Sequence, residues 1–155
     1  MRILVCFEGR VRPDSTGFYL LWALENMGHE VTHVTPDKIH EFTQGSHDFY
    51  LRCDDGLKEL GWNKDLRPSH YFCIDTHVEY DWRLRLAKDF DTVSVVHSSG
   101  LKLPWERTEG KDLFFIPVGC DLDKHHVGEL DKVYDGCFIG NFHNSLAQPR
   151  IEMLD

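Results

Sequence analysis

The chain opens on residues 2–7, Arg-Ile-Leu-Val-Cys-Phe, an almost unbroken apolar run of the kind found in a strand buried on both faces. Residues 8–13 are polar and contain Gly9. Asp14 and Ser15 are each able to cap a following helix, because their side-chain oxygens accept orphan backbone N–H groups. In that helix Phe18, Leu20, Leu21, Trp22, Leu24 and Met27 recur at spacings of three and four. Gly28 is placed to close it in the left-handed conformation. Residues 29–35 then alternate as a second strand. A strand, a helix and a strand in this span predict a βαβ unit, with parallel pairing and a right-handed crossover.

Further along, the pattern is less regular. Residues 36–47 read as irregular, with one short helix near Ile39. A helix is expected over 49–60, weakened by Gly56. After Pro68 comes a third strand over 71–74, ending at Asp75. A helix over 80–90 carries Trp82, Leu84, Leu86 and Ala87 among charges, and a fourth strand covers 92–96. Pro104 and Gly110 break residues 101–112 into a loop. A fifth strand over 113–116 stops at Pro117, and 121–131 is polar. A last strand lies within 133–139, followed by Gly140, Asn141 and a helix starting at Pro149. The expected fold is α/β: a Rossmann-like three-layer sandwich with a mostly parallel sheet. Its domains are an N-terminal one over 1–121, a linker over 122–132, and the first strand-helix pair of a second over 133–155.

Charge narrows the range of partners. The 155 residues hold 26 acidic against 17 basic side chains, a formal charge of -9. That argues against a nucleic-acid face, which needs clustered Lys and Arg, and against an anionic membrane surface. No apolar run approaches the ~20 residues a bilayer span requires. The N-terminus enters a strand without a secretory leader, which points to the cytoplasm. Five cysteines, none in a C-x-x-C pair, fit that reducing compartment. Cys6, Cys73 and Cys137 fall in apolar strands as small buried hydrophobes. Trp22 and Trp82 read as packing anchors on apolar helix stripes.

In an open parallel sheet, ligands bind beyond the carboxyl ends of the strands. That rule selects Glu8, Gly9, Arg10, Ser15, Thr16 and Gly17 after the first strand, Asp75, Thr76 and His77 after the third, His97 and Ser98 after the fourth, and Gly140 with Asn141 after the last. His77 can act as a general base near neutrality, or simply cap the next helix. Asp75 can orient His77 or bind a hydroxyl, or serve as a cap. His97 can face the same cleft or bond a neighbouring loop. Gly9 and Arg10, with the helix N-terminus behind them, can contact an anion. The chain lacks G-x-G-x-x-G, a P-loop lysine and G-x-S-x-G. None of its ten histidines forms an i, i+4 pair on a convincing helix, so no metal site is expected.

Several segments, taken in order, resemble the N-terminal portion of a glycosyltransferase of GT-B architecture, of the spore-maturation-type family related to group-1 glycosyltransferases. They are the opening Arg2–Val5 run with its Gly28-His29-Glu30-Val31 ending, residues 71–77 with Trp82, Arg83 and 87–91, the stretch from Ile116 and Pro117 through Gly119 to Asp121, and residues 134–141. The resemblance implies two facing Rossmann-like domains, the first holding the acceptor and the second most of the nucleotide sugar. It implies no strictly required metal or cofactor, and a cleft lined by Gly9, Ser15, Thr16, Gly17, Asp75, His77, His97, Gly140 and Asn141. This chain carries only the start of the second domain, so the expectation is an inactive acceptor-side half, with self-association through its severed end. The alternatives are a standalone flavodoxin-like binding module and a pseudoenzyme.

Overall fold

β1 (Arg2–Cys6) forms where four residues of low polarity, Ile3 to Cys6, are covered on both sides of the sheet, and all four are buried. α1 (Thr16–Asn26) follows, and then β2 (Glu30–Val34), parallel to β1 with Ile3 opposite Val31. The helix ends in a complete Schellman motif. The His29 N–H reaches the Leu24 carbonyl and the Gly28 N–H reaches that of Glu25, with Gly28 at φ +82°. Ser15 occupies the N-cap, but its side chain makes no capping bond.

The described residues are 1–10, 15–56, 61–76, 80–97, 112–119 and 128 of a computed structural model. The chain divides into two units, Met1–Asp121 and Leu122–Asp155. The first is described here. The expectations for the linker and for 133–155 lie outside the described residues, apart from Gly128.

After β2 comes a short 3₁₀ segment (Pro36–Glu41), then β3 (Phe49–Cys53), β4 (Ser69–Cys73), α2 (Tyr80–Ala87), β5 (Thr92–Val95) and β6 (Asp112–Phe115). All six strands are parallel, in the order β2-β1-β3-β4-β5-β6. The α/β Rossmann-like class is as expected, and among the described residues every strand pair is parallel.

One expected element is corrected. Residues 49–53 are a strand at the centre of the sheet, not the start of a helix. Phe49, Tyr50 and Leu51 suit either state, but here a β1 neighbour pairs them through Ile3↔Phe49 and Val5↔Leu51. Period-two burial then settles the choice: Leu51 and Cys53 face one side of the sheet, Tyr50 and Arg52 the other. Strand boundaries shift by a residue or two elsewhere. β4 begins at Ser69 rather than Tyr71, because His70 is satisfied across the sheet by Thr92 Oγ1 at 2.7 Å and Ser94 Oγ at 2.8 Å. α2 ends at Ala87, short of Phe90.

Both faces of the sheet are covered. On one, Ile3, Val5, Phe7, Leu51 and Phe72 pack against Phe18, Leu20, Leu21 and Leu24 of α1. On the other, Leu4, Tyr50, Tyr71, Val93 and Val95 meet Ile39, Trp62, Leu66, Leu84 and Phe90. A large apolar side chain fully buried in this way contributes roughly 1.5–3 kcal/mol of transfer free energy. Among the described residues, no helix is long and apolar enough to cross a membrane.

Candidate functional site

The strand order places a topological switch point between β1 and β3. The chain leaves β1 toward β2 on one side and leaves β3 toward β4 on the other. At such a point the loops diverge and leave a crevice at the carboxyl ends. Its walls are Glu8, Gly9 and Arg10 after β1, Asp54, Asp55 and Gly56 after β3, and Ile74, Asp75 and Thr76 after β4.

The β1 side is built on a buried arginine. Arg52 is 1% exposed, so its charge requires a partner. Asp55 supplies one with both oxygens, at 2.8 and 2.9 Å from the two terminal nitrogens, and the Cys6 carbonyl accepts a third bond at 3.3 Å. Asp55 Oδ2 also accepts the Glu8 backbone N–H at 2.8 Å. Glu8 in turn grips Arg10, accepting from its backbone N–H at 2.7 Å and from its guanidinium. Hydrogen bonding from the Arg10 side chain holds the Glu8 carboxyl down at about 2. Asp37, after β2, lies 3.4 Å from the same guanidinium.

The β4 side is built on a buried carboxylate. Asp54 Oδ2 accepts from Arg83 Nε at 2.5 Å and from the backbone N–H groups of Ile74 and Asp75 at 3.3 and 3.4 Å. Its Oδ1 accepts from the Gly56 N–H at 3.1 Å and from Arg83 Nη2 at 3.4 Å. The Arg83 guanidinium lies 4.4 Å from the centre of the Trp82 ring, a cation–π contact. Asp75 itself points outward. Its side chain is 53% exposed, with Oδ2 3.9 Å from Arg83 Nη2.

Of the residues selected from the sequence, Glu8, Gly9, Arg10, Asp75 and Thr76 lie on this edge. Arg10 is already paired with two carboxylates, so an anion there has to displace Glu8 or Asp37. Gly17 has a packing reason to be glycine: a Cβ would fall 2.3 Å from the Phe7 ring. At Gly9 a Cβ would meet the tips of Phe18 and His33 at 2.9 and 3.0 Å. Ser15 and Thr16 begin α1, both half-buried. His97 is exposed beyond β5. His77, Ser98, Gly140 and Asn141 lie outside the described residues. The sequence reading missed Asp54 and Asp55 because they were placed inside a helix. The signal that finds them is the Asp-Asp-Gly turn closing an apolar run.

The arrangement suits ligands that donate hydrogen bonds. The guanidiniums of Arg10, Arg52 and Arg83 are each engaged by a carboxylate. The side chain of Asp75, by contrast, is a 53% exposed acceptor. Among the described residues there is no group of three or more His, Cys, Asp or Glu side chains able to hold a metal ion. Comparison with protein-family models finds no match, and comparisons with curated proteins and with solved structures find none either.

Proposed function

We propose that this chain is the acceptor-side half of a glycosyltransferase, a domain that holds a hydroxyl-bearing acceptor while a glycosyl group arrives from a nucleotide sugar. The observation that carries the reading is Asp75, an exposed carboxylate at the carboxyl edge of a doubly wound sheet, with its backbone held by a buried acid. A carboxylate in that position can accept the hydrogen of a sugar hydroxyl and withdraw its proton as the hydroxyl attacks. His77, two residues on, is the second candidate base. The committed guanidiniums and exposed carboxylate of this edge suit a neutral polyol better than a diphosphate. In this reading the diphosphate is held by a second Rossmann-like domain, where helix N-termini offset its charge.

The test is a calorimetric titration, with nucleoside diphosphates, of a longer chain that carries both domains, followed by release of nucleoside diphosphate from the matching sugar nucleotide. Binding of one diphosphate and turnover that falls about 10²–10⁴-fold in Asp75→Asn supports the reading. Failure of every diphosphate to bind sinks it. A second reading has one specific observation behind it. The order β2-β1-β3-β4-β5 is that of flavodoxin-type sheets, here with β6 added at the edge. A binding module of that kind would take its ligand at the same switch point, and binding without turnover would favour it.

A further inference from the structure

Asp54 and Asp55 are adjacent in the chain, yet their carboxylates serve different loops. Asp55 accepts the N–H of Glu8 after β1, and Asp54 accepts those of Ile74 and Asp75 after β4. Each is backed by its own buried arginine, Arg52 for Asp55 and Arg83 for Asp54. The two arginines come from different elements, a central strand and α2. Successive residues leaving a strand project to different sides, and that is what lets one dipeptide reach both neighbouring strands.

We propose that the Asp54-Asp55 pair is the positioning device of the carboxyl edge. It acts as two independent latches that set the loops after β1 and β4 against the end of β3. Asp55 fixes the backbone of Glu8 and, through the Glu8 carboxylate, the direction of Arg10. Asp54 fixes the backbone that carries Asp75. Neither aspartate touches the ligand; each acts through the residue it holds. Both carboxylates are nearly closed to solvent, at 1% and 6% side-chain exposure, so their bonds are not shared with water. Calling these positioning residues rests on reading the carboxyl edge as the ligand site, but the latch itself is measurable without any ligand.

The experiment is residue-resolved amide hydrogen exchange by NMR on the 155-residue chain. In Asp54→Asn, the Ile74 and Asp75 amides should exchange about tenfold or more faster than in the unaltered chain, beyond any change shared by core amides such as those of Leu4 and Val93. The Glu8 amide should move only with the core. In Asp55→Asn the pattern should reverse, with Glu8 released while Ile74 and Asp75 follow the core. Should Asp54→Asn fail to fold, Arg83→Lys replaces it, since it keeps the charge and loses the two-nitrogen contact. A uniform acceleration across all amides in either variant would mean that the pair only stabilises the fold, and would overturn the proposal. So would unchanged exchange at the latched amides. Release of these amides, together with failure of the longer two-domain chain to bind any diphosphate, would leave the latch standing and remove the transferase reading.

Discussion

Gly17→Ala is the substitution whose outcome the structure specifies most closely. The added Cβ would lie 2.3 Å from both Cγ and Cδ2 of Phe7 and 2.6 Å from Cδ1. That ring cannot swing aside freely. It is fully buried, stacked 4.1 Å from His33 and edge-on to Phe18 at 4.9 Å. Overpacking of this kind costs about 1–3 kcal/mol. Against it stands the helix preference of Ala over Gly, about 1 kcal/mol in a helix interior and less at a first turn. The net expectation is destabilisation by roughly 1–2 kcal/mol, from those two effects taken together. In a chain of this length that lowers Tm by roughly 2–8 °C. Urea unfolding followed by circular dichroism measures it. Phe7→Leu should partly rescue the variant, with a coupling of about 0.5–3 kcal/mol between the two sites. An unchanged or raised midpoint in Gly17→Ala, or strict additivity with Phe7→Leu, would refute the packing account and return Gly17 to the list of ligand contacts.

Other outcomes follow from the same structure. Burial pushes the His70 imidazole down to about 4, below its ordinary 6.5, so the unfolded chain takes up the proton first. Stability contributed by neutral His70 is therefore complete above pH 6.5 and lost as pH falls toward 4, by about 3 kcal/mol at the full shift. His70→Asn should be less stable than the unaltered chain at pH 7, with the gap closing on acidification; parallel urea midpoints across that range would contradict this. Arg83→Met strands the Asp54 carboxylate and should cost about 3–5 kcal/mol. Arg2→Ala breaks only the exposed pair with Asp48 and should cost under about 1 kcal/mol. Equal losses in the two variants, read by urea unfolding, would be evidence against the buried pairing. Burial pushes the Cys6 thiol up to about 12 and raises those of Cys53 and Cys73. Peptide mapping after alkylation should find these three modified in urea and protected in native buffer, and native labelling would show the burial to be wrong.

The first half of the fold could be read directly because its elements are self-consistent. The run 2–7, the i, i+3, i+4 stripe from Phe18 to Met27 and the left-handed Gly28 each call for one local state. β3 could not be read this way. Its fourth residue is Arg52, and a charge within an apolar run looks like a helix with one polar face. What makes it a strand is tertiary: β1 and β4 pair with it on either side, and Asp55 neutralises the guanidinium. Missing β3 also hid the switch point, and with it Asp54 and Asp55. Asp75 was found because β4 is apolar up to that residue, so the rule for the carboxyl ends of strands applied without help. Ser69 and His70 were left out of β4 because their polarity is satisfied only across the sheet, by Asp91, Thr92 and Ser94.

We propose that a hydroxyl-bearing acceptor is held at the carboxyl edge around the β1/β3 switch point. The most direct test is a titration of the isotopically labelled chain with a panel of methyl glycosides and free sugars, read amide by amide. The account predicts that one member shifts Glu8, Gly9, Arg10, Asp75 and Thr76 together and saturably, and that Asp75→Asn abolishes the shifts while the remaining spectrum is preserved. Saturable shifts confined to the opposite edge of the sheet, around Asp48 and Arg67, would contradict it, as would identical binding by Asp75→Asn.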